Sequence, residues 1–381
     1  MNQRVAVCAV AQIKNEPDIW YQRFQGMVLE CFESIVGQTG VTFDMEKGVR
    51  SVVSCSDDVF DARTISDNAI NDVAGAYFRG EEKSAQDGAN ALAYAMASIL
   101  SGHDDLVLVV GHCKESQTES RRMCTNLAFD PFYGRPLGLD YLSAAGLQAR
   151  AYMKNAAISD EHLAAVVARS REKAALNPYA RENESVTEKD VLQSPLICDP
   201  IRSLHQYPVT DWAVGMLLCT EARAHEFTDR PVWLTGFGNC MDSYFLGDRD
   251  LSTSTALQRA ARRAYAMAGI DDPKSAFDVI ELNDPYAYQL PMWAENAGII
   301  PEGGAGKWIE SGAMAARHIN PSGGMLNGNP IMLGGLARSL EVVLQLRGEA
   351  GERQIENAAR GLAHGNTGPA GQHHAVLVFE K

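Results

Sequence analysis

The sequence lacks three features that would each indicate a particular class of protein. None of its eight cysteines forms a Cys-x-x-Cys pair, which argues against a zinc ribbon, and no metal site is predicted. No apolar run reaches the roughly 18 residues of a membrane-spanning helix. Basic residues are outnumbered, with 34 Lys plus Arg against 48 Asp plus Glu, and the net charge of −14 argues against a nucleic-acid partner. We therefore expect a cytoplasmic protein with free thiols.

The rest of the composition is that of an ordinary globular protein. Apolar residues make up 46% of the 381 residues and charged residues 22%. A chain of this length favours two or more lobes. The negative total still allows an anionic small ligand, because a local basic patch can act against the overall charge.

An internal repeat gives these lobes a common plan. Residues 28–58 and 256–284 each predict an amphipathic helix, a glycine stop, an acidic turn and a β-rich run. The two stops are Gly40 and Gly269, each just past the last periodic apolar residue. The matching order of elements indicates a duplicated α/β unit.

A second pair of segments continues the repeat. One helix opens at Gly88 and the other at Gly334 and Gly335. The first is followed by the apolar run DDLVLVV, and we match this run to HHAVLVF near the end of the chain. Both runs are typical of strands buried on two faces. The sequence therefore predicts two α/β halves built alike.

Between the halves lies a different, mostly helical region. We place an N-terminal half at 1–114, an excursion at 115–210, and a C-terminal half at 211–381 that also supplies the return strand of the first lobe. Long insertions in compact domains are usually functional or linkers. Three arginines near its start make the excursion a candidate ligand cover, the alternative being that they are solvated or pair with acids: Arg121, Arg122 and Arg135.

Three motifs carry a resemblance to a known family. They are SPLICDPIRSLHQYPVTDWAVGMLLCTEARA at 194–224, VIELNDPYAYQL at 279–290 and INPSGGMLNGNPIMLGG at 319–335. The chain resembles the thiolase superfamily over nearly its whole length, and within it the sterol-carrier-protein-type branch. The resemblance implies two duplicated βαβαβαββ halves, a five-layered α-β-α-β-α arrangement and a helical loop excursion.

The nucleophilic cysteine of that family is missing. The family places it three residues before the glycine that opens the first-half helix, where the helix dipole and amides lower the thiol pKa. Here that position is Ala85, and no cysteine lies between residues 56 and 112. Ser84 has no evident base, and Cys113 does not open the helix. We therefore expect no covalent acyl-enzyme.

Other family positions are altered as well. Asn329 stands where the family has the histidine of Gly-His-Pro, and an amide can donate a hydrogen bond there but cannot act as an acid. By resemblance, Asn283 matches an asparagine that orders a water at the oxyanion site, and Asp284 matches the neighbouring acid. The family's last cysteine base is absent, and its candidate replacements are His364, His373 and His374.

Two further residues have both a structural and a functional interpretation. Tyr286 occupies a family Phe position, so it is either a packing aromatic or an acid–base group, with Tyr288 nearby. A basic role would need a shifted pKa, because an ordinary Tyr has a pKa near 10. Asp87 is either a helix cap or a base that replaces the cysteine, and Asp284 is likewise either a cap or a catalyst.

Together these features predict an acyl-CoA enzyme that makes or breaks a C–C bond beside the thioester. The chemistry is expected to be cysteine-independent, of retro-aldol or Claisen type, with the three arginines on the CoA phosphates. CoA enters only as substrate, and no covalently bound cofactor is predicted. The resemblance implies a homodimer and a small OB-fold partner with a zinc ribbon. Two alternatives stay open: a catalytically silent subunit that supports an active partner, and a conventional acetyl-CoA acyltransferase with a displaced nucleophile.

Overall fold

The first part of the chain alternates strands and helices. The computed structural model describes residues 4–61, 65–328 and 331–381. The elements up to residue 114 are β1 (Val5–Gln12), α1 (Phe24–Thr39), β2 (Ser51–Cys55), β3 (Gly80–Ser84), α2 (Gly88–Leu100) and β4 (Leu106–Lys114).

The middle of the chain is mainly helical, as the sequence predicts. It contains α3 (Arg121–Asn126), α4 (Tyr141–Ala156), α5 (Asp160–Ala174), α6 (Glu188–Gln193), and the short strands β5 (Leu196–Cys198) and β6 (Ile201–Arg202). Asp140 and Ser143 form a capping box at the start of α4, which satisfies two backbone donors that would otherwise be unpaired.

The remaining elements repeat the plan of the first part. They are β7 (Asp211–Thr220), α7 (Ala224–Phe227), β8 (Val232–Met241), α8 (Thr255–Ala268), β9 (Val279–Glu281), α9 (Gln289–Asn296), α10 (Ala305–Glu310), α11 (Gly334–Arg347), β10 (Arg360–Thr367) and β11 (His373–Glu380). The helix stops predicted at Gly40 and Gly269 are confirmed, because both residues cap their helices in the left-handed conformation.

The sheet shows the duplication directly. Among the described residues nine strands form one mixed sheet in the order β3-β2-β4-β7-β1-β8-β11-β10-β9. The centre of the sheet is the antiparallel pair of β1 and β8. Outward from this pair, the order β1-β7-β4-β2 in the first half corresponds to β8-β11-β10-β9 in the second. Helix α1 packs on strands of the first half and α8 on strands of the second, while α2 and α11 contact strands of both. The two halves of the sheet are joined edge to edge through β1 and β8.

The central helices α2 and α11 start beside each other. The N–H of Gly88 donates to the carbonyl of Met332 at 2.7 Å. A Cβ at Gly88 would lie 2.6 Å from the Cβ of Leu336, so this approach requires glycine. The segments Gly88 and Gly334–Gly335, predicted to open helices, therefore lie together at the centre of the molecule.

One strand match is wrong. In the second half the counterpart of β4 is β10, and not the run HHAVLVF. Strand β10 is the first strand after α11 and pairs parallel with β9. The final run HHAVLVF is β11, the counterpart of β7. The sequence of β10, RGLAHGNT, gave no strand signal because glycine, asparagine and histidine interrupt its apolar pattern. The domain boundaries drawn at 114 and 210 stay a prediction.

The helices do not suggest a membrane segment. Across the described residues, none is both long enough and apolar enough to cross a bilayer.

Candidate active site

A cleft opens where the first residues of α2 and α11 meet the β10–β11 hairpin. The volume in it that is open to the centres of water-sized molecules is small, about 50 Å³. The excursion contributes two tyrosines to its wall. The polar and aromatic residues that line the cleft are Asp87, Asn283, Gln289, Asn366, Thr367, Tyr141, Tyr207 and Tyr286. The structure thus brings together three of the predicted site residues: Asp87, Asn283 and Tyr286.

Asp87 joins the two central helices. Its carboxylate accepts the N–H of Ala89, which makes it the N-cap of α2, and also the N–H of Gly335 at the start of α11, both at 2.9 Å. The residue is only 2% exposed. Burial raises the pKa of Asp87 to about 7, although the two N–H donors and Arg338 oppose the shift. A carboxyl group of this kind exchanges a proton near neutral pH.

Two glycines make room for that carboxylate. A Cβ placed on Gly335 or on Gly365 would overlap the Oδ1 atom of Asp87. Gly365 lies in the middle of β10, where a glycine weakens a strand and often marks a close approach. Asp87 is therefore enclosed by main chain from α11 and β10.

Asn283 follows the end of β9 and faces β10. Its Nδ2 donates to Oδ1 of Asn366 at 2.7 Å, and its main-chain N–H donates to Nδ1 of His364 at 3.3 Å. Its own Oδ1 is buried and has no hydrogen-bond partner among the described residues. An unpaired acceptor in a cleft is a place where a substrate hydroxyl or a water can donate.

Tyr286 presents a hydroxyl to the same cleft. The hydroxyl is buried and has no partner among the described residues. The ring packs edge-to-face on Tyr207 at a centroid distance of 5.7 Å. Burial raises the pKa of Tyr286, and the nearby Arg121 does not reverse this. The phenol therefore stays protonated and is suited to donating a hydrogen bond. Tyr288 differs, because its hydroxyl donates to Gln148 at 2.8 Å.

Asp284 lies apart from the cleft. Its Oδ1 accepts the N–H of Met325 at 2.7 Å, beneath the loop at residues 320–325. It is 1% exposed, and burial raises its pKa to about 7. A Cβ on Gly324 would lie 2.6 Å from its carboxylate. The geometry is that of a residue that holds a loop.

The late histidines lie behind the cleft wall. His364 is fully buried, accepts the main-chain N–H of Asn283 and does not line the cleft, and its ring stacks on that of His374. Burial lowers the pKa of His364 to about 3 and that of His374 well below its usual value. His373 does not join this pair, and its Nε2 lies 3.5 Å from Nε2 of Gln86.

The three predicted CoA-binding arginines all form hydrogen bonds or ion pairs with other residues of the excursion. Arg121 forms a double ion pair with the buried Glu115 and covers the ring of Tyr207 at 4.0 Å. Arg122 pairs with Asp140. Arg135 donates to the carbonyls of Phe129 and Leu127, at 2.8 and 2.7 Å. Their role toward CoA stays a prediction.

The cysteines give the cleft no nucleophile. Among the described residues none of them lines it. Cys55 lies close to the start of α11, where its Sγ donates to the Met332 carbonyl at 3.0 Å, but burial and Asp87 raise its pKa. Burial also raises the pKa of Cys113. Ala85, the position predicted for the missing nucleophile, is exposed to solvent, and Ser84 ends β3.

Sequence reasoning missed the contribution of β10, and it leaves one predicted residue untested. The sequence alone does not indicate Gly365 and Asn366, because their partners Asp87 and Asn283 are distant in sequence. A useful signal was available in the polar run HGNTG at the end of the chain. Asn329, predicted to hold the thioester oxygen, lies outside the described residues.

Comparisons with known proteins agree with this fold. A family model described as "Thiolase C-terminal domain-like" matches residues 238–381. The chain is 30% identical over 385 residues to an acetyl-CoA acetyltransferase of Methanothermobacter thermautotrophicus, with 99% of each chain covered. It is 31% identical over 243 residues to sterol carrier protein 2 of Bos taurus, covering 61% of this chain and 44% of that protein.

A solved structure extends the likeness in three dimensions. The structure titled "Ltp2-ChsH2(DUF35) aldolase" superposes with a TM-score of 0.82 at 17% identity, covering 99% of this chain and 97% of that chain. The 30% identity to the acetyltransferase over 99% of each chain shows that this chain belongs to the thiolase superfamily, a family of acyl-CoA enzymes. Together with the match to sterol carrier protein 2, it identifies the sterol-carrier-protein-2-like branch. The predicted fold is confirmed.

Proposed function

We propose that this protein cleaves or forms the C–C bond beside a CoA thioester without a cysteine acyl-enzyme, and that Asp87 moves the proton. The observation that carries this proposal is the position of Asp87. A buried carboxyl group with a pKa of about 7 stands at the starts of α2 and α11 and lines the cleft. A group with a pKa near the working pH serves well as both base and acid.

The retro-aldol direction needs one proton to be removed from oxygen and returned to carbon. The Asp87 carboxylate removes the proton of a β-hydroxyl group, and the O–H electron pair becomes the C=O bond of an aldehyde or ketone. The Cα–Cβ bond breaks, and its electrons move into the thioester as an enolate. The protonated Asp87 then returns the proton to Cα, which gives the shortened acyl-CoA. A Claisen-type step would begin from the same enolate.

The enolate oxygen needs donors as its charge develops. The Tyr286 hydroxyl is unpaired, buried and protonated, so it is the group we assign to that oxygen. The Oδ1 atom of Asn283 is an unpaired acceptor. Because the single proton of the β-hydroxyl group goes to Asp87, we assign Oδ1 of Asn283 to a water beside the thioester oxygen.

The cysteines support a mechanism that does not use them. All eight are free, and those at 55 and 113 have raised pKa values, which makes them poor nucleophiles. Free thiols in every position also support our assignment of the protein to the cytoplasm.

We propose two kinds of assembly. Strand β3 is the outermost strand at one end of the sheet, so its outer edge is open to a second copy of this chain. The structurally similar aldolase is named for two components, Ltp2 and ChsH2(DUF35). We therefore propose that a small OB-fold zinc-ribbon protein also accompanies this chain.

The test compares two substrates with the purified protein, alone and with its co-purifying partner. We expect 3-hydroxyacyl-CoA to give an acyl-CoA and a carbonyl product, without added CoA. The Asp87→Asn variant should fold and form product at least about 100-fold more slowly. Cleavage of a 3-ketoacyl-CoA that needs free CoA and labels a cysteine would instead identify a conventional acyltransferase. No turnover under either condition would identify a silent subunit.

A further inference from the structure

Two buried histidines connect the cleft wall to the start of α8. Nε2 of His364 lies 2.9 Å from Nδ1 of His374, and Nε2 of His374 lies 3.1 Å from Oγ of Ser254. At the other end, Nδ1 of His364 accepts the main-chain N–H of Asn283 at 3.3 Å. These contacts connect Ser254, the N-cap of α8, with Asn283 in the cleft.

The direction of these hydrogen bonds is set by one obligatory donor. The N–H of Asn283 can only donate, so Nδ1 of His364 must be unprotonated. In a neutral ring the proton is then on Nε2, which donates to Nδ1 of His374. The proton of His374 is therefore also on Nε2 and points to Ser254. Protonation of either ring would put two donors face to face.

The surroundings keep both rings neutral and fixed. His364 is 0% and His374 1% exposed, and their rings stack at 5.2 Å with an interplanar angle of 16°. Trp293 packs edge-on against His374 at 4.8 Å. Gly371 allows this approach, because a Cβ there would lie 2.9 Å from Trp293 and 3.1 Å from His374. Burial lowers the pKa of both imidazoles.

We propose that His364 and His374 are positioning residues that act through Asn283. The ordered chain from Ser254 fixes the main chain at Asn283, and so holds the Asn283 amide against Asn366 with its oxygen free in the cleft. Neither imidazole reaches the substrate. The effect on turnover rests on the proposed function, while the proton arrangement and the Asn283 geometry do not.

Two substitutions of His364 distinguish a positioning role from a packing role in the core. In His364→Asn the side-chain oxygen takes the place of Nδ1 and keeps an acceptor for the Asn283 N–H. In His364→Leu the acceptor is lost, although leucine suits an apolar core better. We expect kcat to fall about 10-fold or more in His364→Leu, with KM changed less than about 3-fold, and partial recovery in His364→Asn. Equal kcat in both variants would overturn the proposal.

The matched control is another buried histidine. His112 lies 2.9 Å from Asp61 and stacks on Phe24 at 4.7 Å, away from the cleft. His112→Leu should lower the melting temperature and leave kcat within about 3-fold of the wild-type value at temperatures below unfolding. A drop in kcat equal to that of His364→Leu would mean that general destabilisation explains both.

The deciding experiment does not need activity. Nitrogen NMR of the intact protein labelled with ¹⁵N-histidine should show His364 and His374 as neutral rings with the proton on Nε2 at pH 7. The Asn283 side-chain amide resonance, followed by ¹⁵N-asparagine labelling, should shift in His364→Leu and stay near its wild-type position in His364→Asn. A proton on Nδ1 of His364, a charged ring, or an unmoved Asn283 amide would refute the proposal. Failure of turnover with these signals intact would refute only the proposed function.

Discussion

Asp87 and Asp284 make an instructive pair. Both are almost fully buried, both accept main-chain N–H groups, and burial raises the pKa of each to about 7. They differ in the part of the molecule that the carboxylate faces. Asp87 lines the cleft between the starts of α2 and α11, whereas Asp284 faces the loop at residues 320–325.

The difference shows that a raised pKa by itself does not identify a catalyst. Structural carboxylates show the same shift when they are buried. Access to a cleft decides which of the two can exchange a proton with a substrate. The sequence resemblance pointed to Asp284 as the family's acid, while the geometry favours Asp87. The predictions below test that distinction.

The largest effect is expected for Asp87→Asn. Asparagine can still cap α2 but cannot carry a proton between substrate atoms, so kcat should fall by about 10²–10⁴-fold. Steady-state kinetics with a 3-hydroxyacyl-CoA would measure this, and circular dichroism would check that the fold is kept. A variant with more than about one tenth of the wild-type rate would argue against Asp87.

A smaller loss is expected for Gly365→Ala, because its new methyl group would overlap the Asp87 carboxylate. Displacement of the reacting group by a fraction of an ångström should lower kcat about 10- to 100-fold. Gly37→Ala is the control, since Gly37 lies in α1 and a Cβ there meets nothing within 4 Å. That control should keep full activity and gain roughly 0.5–1 kcal/mol of stability. Equal rates for the two variants would contradict the close contact.

Asp284→Asn should change stability rather than rate. The folded-state pKa of about 7 lies above the value of about 3.9 for an unfolded Asp, so the folded protein binds this proton more tightly. Raising the pH from about 4 to 7 therefore lowers the free energy of unfolding, by up to about 1.4 kcal/mol per pH unit.

The variant removes this dependence, so its stability relative to wild type should rise with pH across that window. Urea unfolding at several pH values would measure the difference, and kcat should stay within about 3-fold of wild type. A loss of activity as large as that of Asp87→Asn would place Asp284 in the chemistry after all.

The smallest effect is expected from cysteine alkylation. Cys124, Cys198 and Cys240 are partly exposed and should react with iodoacetamide in the folded protein. Turnover should be unchanged, because among the described residues no cysteine lines the cleft. Mass spectrometry would identify the labelled sites. Rapid inactivation that follows labelling of a single cysteine would restore a thiol mechanism.

The sequence predictions that the structure confirms depend on residues close together in the sequence. The helix stops at Gly40 and Gly269 and the helix openings at Gly88 and Gly334 each depend on a few neighbouring residues. The missed strand β10 is held by its neighbours β9 and β11 rather than by its own propensity, so its sequence does not predict a strand.

The site was harder to predict for a similar reason. The cap at Asp87 is visible in the sequence, but its second donor, Gly335, lies 248 residues away. The link between Asn283 and Asn366 likewise depends on the pairing of β9 with β10. The sequence could suggest the members of the cleft, but only the fold separates Asp87 from Asp284.

Exchange of the Cα proton of an acyl-CoA with D₂O tests the central claim most directly, because both the aldol and the Claisen direction pass through the enolate. The wild-type protein should exchange this proton, with a rate that rises through an apparent pKa near 7, and alkylation of the cysteines should leave the rate unchanged. Asp87→Asn should abolish the exchange, and Asp284→Asn should retain it. Exchange that survives in Asp87→Asn would contradict the assignment of Asp87 as the proton-transferring group.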